Sequence, residues 1–355
     1  MNDKLILVIN PGSTSTKIAL FSGLAPLKDV DITHQTSELA GFASNLQQLD
    51  YRYAAVEKAL KDWNCNPADL KAVIGRGGPL KPLSGGVYHV GESLMKDLQS
   101  GKLVDHASIL GGLIACRVAA DAKIPAYIAD PVSVDEFDDI ARISGWPELP
   151  RISLSHALNI KAVVAEVAAE NGKKPEDVNY VVAHLGGGFS VAAHRKGRRI
   201  DVNNANDSGP FSPERSGTLP LTGLLKLACS GKYQFNELKK MLVGKGGLVA
   251  HLGTSDCREV AKRIDAGDAK AKLVLEAMAY QIAKEIGAMA TVMKGQVDAI
   301  ILTGGVAHNP KVVPWIKERV EFIAPVIVKP GQNELKALAA HACRALADAS
   351  IVKEY

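Results

Sequence analysis

Three short stretches combine glycine with polar donors in a way that suits a phosphate-bearing ligand. Asn10-Pro11-Gly12-Ser13-Thr14-Ser15-Thr16-Lys17 sets hydroxyl side chains around a glycine. A tight turn there presents N–H and O–H donors to one point, a concavity suited to phosphate oxygens, and Lys17 adds a positive charge. A plain polar β-turn is the ordinary alternative. In His184-Leu185-Gly186-Gly187-Gly188 three glycines remove every Cβ, so that a bulky anion can approach the backbone. In Thr303-Gly304-Gly305-Val306-Ala307-His308-Asn309 a glycine pair after a strand permits a sharp turn and close packing of a flat adenine or ribose. Two arginines complete the chemistry. Arg76 lies in Gly75-Arg76-Gly77-Gly78, read as a flexible, Cβ-poor loop, and Arg215 in the Pro/Gly-stiffened stretch Asp207 to Gly217. Converging on one cleft, they would hold a carboxylate and the equatorial oxygens of a transferring phosphoryl group. A single loop arginine is otherwise a surface charge.

The elements that must position these residues alternate. The apolar runs Leu5 to Ile9 and Lys17 to Phe21 flank the first turn as strands. Tyr180 to Ala183 and Phe189 to His194 flank the second in the same way, and Ala299 to Thr303 leads into the third. Helical spacing of apolar residues covers Tyr53 to Trp63, Ile109 to Ala122, Asn159 to Asn171, Ala269 to Met293 and Glu334 to Ala347, the last with Asn333 as its N-cap. Strands alternating with helices predict an α/β fold. The repeated strand–turn–strand opening predicts an internal duplication, with its boundary between about Arg151 and Pro175. Two such turns facing one cleft would grip a triphosphate.

Composition narrows the function. A net charge of +4 over 355 residues supplies no basic stripe for nucleic acid. The cysteines at 65, 116, 229, 257 and 343 show no C-x-x-C spacing, which suits a reducing cytosol and argues against disulfides and zinc. No apolar run is long enough for a membrane span. The P-loop, the dinucleotide G-x-G-x-x-G after a strand, H-E-x-x-H, G-x-S-x-G and the protein-kinase motifs are all missing. A nucleotide, if bound, is held by another device.

Those turns, together with Ser155-His156-Ala157-Leu158-Asn159, Ser208 to Gly217 and Gly253-Thr254-Ser255-Asp256, resemble the acetate/butyrate kinase (acetokinase) family, which lies within the actin, sugar-kinase and chaperone ATPase superfamily. The likeness runs in the family's order over nearly the whole chain. It implies two duplicated ribonuclease H-like (actin-like ATPase) domains flanking a nucleotide cleft, one formed by 1–152 with 337–355 and the other by 153–336. It also implies ATP/ADP and Mg²⁺ as cofactors, and a short-chain fatty acid as substrate, butyrate first and acetate, propionate or a branched acid as alternatives. By the resemblance, Arg76 and Arg215 bind the carboxylate and stabilise the transition state, with Asp130 and His156 also catalytic. Asn10, Ser13, Ser15, Lys17, His184, Gly186, Gly187, Gly188, Asp256, Arg258, Gly304 and Gly305 would hold the nucleotide. Glu334, Asn10 and Asp130 would serve the metal, directly or through water. A cytoplasmic homodimer or higher homo-oligomer, without nucleic-acid or membrane partners, is implied as well. A non-metabolic actin- or chaperone-like ATPase is the rival class.

A carboxylate substrate is already ionised at neutral pH, so its phosphorylation needs no general base. Asp130 is therefore expected to orient metal or water. The glycines after Arg76 are read as room for a longer acyl chain.

Overall fold

Leu5–Pro11 forms β1, and Ile6, Leu7, Val8 and Ile9 are all fully buried, as in a strand covered on both faces. The computed structural model describes residues 5–355. Strand β1 continues through the polar turn into β2 (Ser15–Ser22) and β3 (Ala25–Thr33). Then come β4 (Leu70–Arg76), β5 (Val87–His89) and β6 (Ala126–Ala129). The second series is β7 (Asn179–Leu185), β8 (Phe189–Arg195), β9 (Arg198–Val202), β10 (Ala299–Gly304) and β11 (Val326–Pro330), with the short β12 (Val352–Lys353) near the C-terminus.

One sheet runs β12-β5-β6-β4-β1-β2-β3 and the other β11-β10-β7-β8-β9. The blocks β3-β2-β1-β4-β6 and β9-β8-β7-β10-β11 agree in order and in sense: antiparallel across the first three strands, parallel across the last three. The expected duplication is present. Its register is definite. Asn10 pairs with Lys17 and His184 with Ser190 at the mouths of the two hairpins. Ile9 pairs with Gly75 and Ala183 with Leu302 in the parallel ladders. Asn10 thus corresponds to His184, and Arg76-Gly77-Gly78 to Thr303-Gly304-Gly305.

The chain divides into two compact units. One extends to Asp135 and adds Ala157–Asn159 and Asn333–Tyr355; the other comprises Glu136–His156 and Ile160–Gln332. These limits differ from the expected ones over 136–152, 157–159 and 333–336. The physical reason is packing: Phe137 and Ala141 belong to the apolar cluster of Ile160, Val164 and Val182, and Lys161 pairs with Glu136 at 2.9 Å.

In the first unit the helix Ile109–Ala122 lies on β4 by virtue of paired glycines. A Cβ on Gly75 would sit 2.1 Å from the Gly111 oxygen, and one on Gly111 would sit 2.4 Å from the Arg76 oxygen. In the second, Met278, Ile282 and Ile286 of the helix Ala269–Val292 face the sheet. Helices Ile109–Ala122 and Glu334–Ala347 have the expected limits; Leu49–Asp62, Ala157–Glu170 and Ala269–Val292 differ from expectation by one to four residues at their ends. Asn333 holds the N-cap position but its side chain makes no cap bond. Among the described residues no helix is long and apolar enough to cross a membrane.

Candidate active site

In the first unit, β1 and β4 end side by side and bring Asn10, Arg76 and Glu334 together. Asn10 is buried and donates from Nδ2 to Glu334 Oε2 at 2.7 Å. Arg76 Nη1 lies 3.4 Å from both Asn10 Oδ1 and Glu334 Oε2. Glu334 opens its helix, where a carboxylate is favoured by the helix dipole. Its Oε1 accepts no hydrogen bond among the described residues.

Arg76 is not in a flexible loop: it is the last residue of β4. The glycines beside it are consumed by packing. A Cβ on Gly77 would lie 2.7 Å from Pro131 Cβ, and one on Gly78 would lie 2.6 Å from Ile109 Cγ2. The space after Arg76 is filled by protein, so these glycines leave no extra room for an acyl chain.

The first hairpin turns on a bond from Gly12 N to the Ser15 oxygen at 2.8 Å. Ser13 and Thr14 at its tip are exposed and Ser15 is half-buried. Lys17 shares a sheet face with its cross-strand partner Asn10 and lies 3.9 Å from Asp31. Asp130 is buried, at φ +38°, and both its oxygens are engaged: Oδ1 accepts from Gly86 N at 2.7 Å and Oδ2 lies 2.8 Å from His341 Nε2. Its carboxylate therefore ties a loop to the helix that begins with Glu334, and it offers a metal less than Glu334 does. Among the described residues no cluster of three acidic, histidine or cysteine ligands is assembled.

In the second unit the hairpin between β7 and β8 carries the glycines. His184 is fully buried, and its ring stacks on that of His156 with centroids 4.1 Å apart. His156 Nδ1 lies 2.9 Å from Ser190 Oγ, and Gln332 Nε2 lies 3.2 Å from His184 Nε2. Ser212 Oγ donates to the Gly187 oxygen. A Cβ on Gly188 would come within 2.6 Å of the Arg215 guanidinium. Arg215 donates to Asn206 Oδ1 at 2.7 Å, and burial pushes its pKa down.

Beside this turn lies a cavity of about 980 Å³, reached by Gly186, Gly187, Asp256, Arg258, Gly305 and Gln332. Ligand pockets of small molecules are of this size. Asp256 caps the helix Cys257–Asp265 through Arg258 N (2.8 Å) and grips the Arg258 guanidinium at 2.9–3.0 Å. Arg258 and the capped backbone hold the Asp256 carboxyl down at about 2. Gly304 and Gly305 differ in use. Gly304, at φ +90°, presses on Leu185, whose oxygen would be 2.4 Å from a Cβ, whereas Gly305 faces open space and lines the cavity. Sequence reasoning missed Glu214, Lys262, His308 and Gln332 in the lining: Glu214 and His308 sit inside motif stretches without a role of their own, and Lys262 and Gln332 belong to no spaced pattern. It missed Arg52 and His341 as well.

The acetokinase family pattern matches residues 155–329. Over 350 residues, covering 99% of both chains, the sequence is 52% identical to a probable butyrate kinase 2 of Caldanaerobacter subterraneus subsp. tengcongensis. The chain belongs to the acetokinase family. Butyrate kinase 2 of Clostridium acetobutylicum is 48% identical over 351 residues, again 99% of each chain. In solved structures this acetokinase resembles the acetate kinase of Porphyromonas gingivalis, with a TM-score of 0.77 at 18% identity, covering 97% of this chain and 100% of that one. Its fold is thus the duplicated actin-like ATPase fold that the motifs implied, and its class is that of a carboxylate-phosphorylating kinase.

Proposed function

We propose that this acetokinase transfers the γ-phosphoryl group of ATP to butyrate, forming butyryl phosphate and ADP, reversibly. The observation that carries the reading is the full-length similarity, at 52% identity, to a protein named as a butyrate kinase. A carboxylate oxygen attacks the γ-phosphorus while the bond to the β–γ bridging oxygen breaks, and that electron pair leaves with ADP. No proton has to be removed from the acid.

The obstacle is repulsion between two anions. Arg76, steadied by Asn10 and Glu334, and Arg215, set against Gly188, are the groups assigned to offset it, each through a planar fork suited to carboxylate and phosphoryl oxygens. His156 and His184, stacked on each other, would donate to phosphoryl oxygens. The adenosine half of the nucleotide is assigned to the cavity lined by Asp256, Arg258 and Gly305. Bound Mg²⁺ would neutralise charge on the β- and γ-oxygens, held through Glu334 with Asn10 beside it. A cytoplasmic location and a homodimeric or larger assembly belong to the same proposal.

The test is direct. Purified protein is given Mg-ATP and straight or branched acids of two to six carbons, and hydroxylamine traps any acyl phosphate. The largest hydroxamate yield is expected with butyrate. A maximum at acetate or propionate would move the substrate assignment, and no hydroxamate from any acid would overturn the reading.

A further inference from the structure

The front of the first hairpin is accounted for by its motif. Its back is held by a residue outside every motif. Arg52, on the helix Leu49–Asp62, is fully buried. Its Nη1 donates to the Gly12 oxygen (2.8 Å), the Ser15 oxygen (3.0 Å) and Thr16 Oγ1 (3.0 Å). Nη2 donates to the Ser13 oxygen (3.1 Å) and Nε to Gln48 Oε1 (2.9 Å). All these partners are neutral, and among the described residues no carboxylate comes within ion-pair distance of the guanidinium. A buried charge without a counter-charge is costly, so its persistence calls for an explanation.

The geometry of the turn supplies one. The carbonyls of Gly12, Ser13 and Ser15 point at Arg52. The N–H groups of Ser13 and Thr14 share peptide units with the first two of those carbonyls. They have no acceptor among the described residues, and both residues are exposed. A hydrogen bond from a cation at the carbonyl end of a peptide polarises it and strengthens the N–H at the other end. Thr16 is fixed in turn. Its hydroxyl lies 2.8 Å from His34 Nε2, His34 Nδ1 lies 3.2 Å from Tyr51 Oη, and Tyr51 donates to Glu38 at 2.9 Å. Burial and the neighbouring Arg52 charge push the pKa of His34 down, which keeps this chain of bonds on a neutral imidazole.

We propose that Arg52 is a positioning residue for phosphoryl transfer, holding the turn with its N–H groups outward and supplying from behind the positive charge that a phosphoryl group meets across it. The inference rests on the kinase reading above. Arg52 touches no reacting atom, so its effect is carried by preorganised peptide dipoles and its own field.

Arg52→Lys and Arg52→Gln separate charge from scaffold in the full-length protein. Lysine keeps the charge but cannot span the four acceptors of the turn; glutamine offers N–H donors without charge. With Mg-ATP, butyrate and hydroxylamine, Arg52→Gln should lower kcat by about 100-fold and Arg52→Lys by about 10-fold, with KM for butyrate within about threefold in both. Equal kcat in the two variants, or near-parental kcat in Arg52→Gln, would overturn the proposal. So would failure of both to fold, which would make Arg52 a scaffold residue alone. A second readout needs no turnover: Mg-ATP should raise Tm in the parent and in Arg52→Lys, and clearly less in Arg52→Gln. An equal rise in both variants counts against the inference, while absence of hydroxamate from the parent counts against the kinase reading instead.

Discussion

The two halves of the chain build the same turn and place charge against it differently. Between β1 and β2 the turn keeps its side chains, with Ser13 and Thr14 exposed and the Arg52 guanidinium against its carbonyls. Between β7 and β8 the turn is Gly186–Gly188, and Arg215 occupies the space that a side chain on Gly188 would take. At the end of the neighbouring parallel strand the first half has Arg76 where the second has Thr303. A turn that keeps its side chains has its backbone dipoles aligned by a buried cation. A turn without them admits an arginine directly. The same strand order therefore carries a buried cation behind the turn in one half and a glycine turn beside a cavity in the other, through changes confined to a few positions. Each half also buries an arginine completely: Arg199 bonds Ser153 Oγ at 2.9 Å and Ser155 Oγ, next to His156, as Arg52 bonds the first turn.

The most severe way to break this comparison is to delete the two arginines to which the proposed function assigns the meeting anions. Arg76→Ala and Arg215→Ala should each lower kcat for hydroxamate formation by about 10²–10³-fold, the range for loss of one transition-state donor. Near-parental turnover in either would remove that arginine from the transition-state role. A finer test uses the glycines. Gly188→Ala sets a methyl 2.6 Å from the Arg215 guanidinium, and the displaced side chain should cost about 10–100-fold in kcat. Gly12→Ala meets nothing nearer than the Ser15 oxygen at 3.6 Å, so its Tm should stay within about 2 °C of the parent. If Gly188→Ala leaves kcat unchanged, the contact between Gly188 and Arg215 has no part in placing the arginine.

What the sequence made legible was local. The turn residues, the β-branched runs beside them and their repetition determine the duplicated sheets, because period and turn chemistry act over a few residues. Arg52 was hidden for the converse reason. The apolar spacing predicts a helix only from Tyr53, whereas the helix starts at Leu49, and what buries Arg52 is a turn some forty positions earlier. His341 was just as obscure. It is a lone histidine on an alanine-rich helix, and its partner Asp130 comes from another strand's end. Gly77 and Gly78 were legible as glycines but not in meaning. Glycine serves freedom or close approach equally, and only the positions of Pro131 and Ile109 decide between them.

The smallest predicted effect concerns a core position where the halves diverge. Ile6 pairs with Phe21 and Tyr180 with His194, so His194 stands where the first half has phenylalanine. His194 is 1% exposed and its Nδ1 has no hydrogen-bond partner among the described residues. Burial first, then the Lys161 charge, pushes its pKa down to about 4. In the unfolded chain an imidazole takes up its proton near 6.5, while in the folded protein this one stays neutral until about 4. Between those values the unfolded state binds more protons, so stability falls as pH is lowered from 6.5 to 4, by about 3 kcal/mol at most. Above 6.5 and below 4 this group adds no further pH dependence. His194→Phe, which copies the first half's solution, should flatten that acid limb while leaving kcat at neutral pH close to the parent's. Urea midpoints at pH 7 and pH 4.5 check it: the parent should lose more between the two than the variant does. Equal losses would assign the acid sensitivity to another group and leave His194 as an ordinary core side chain.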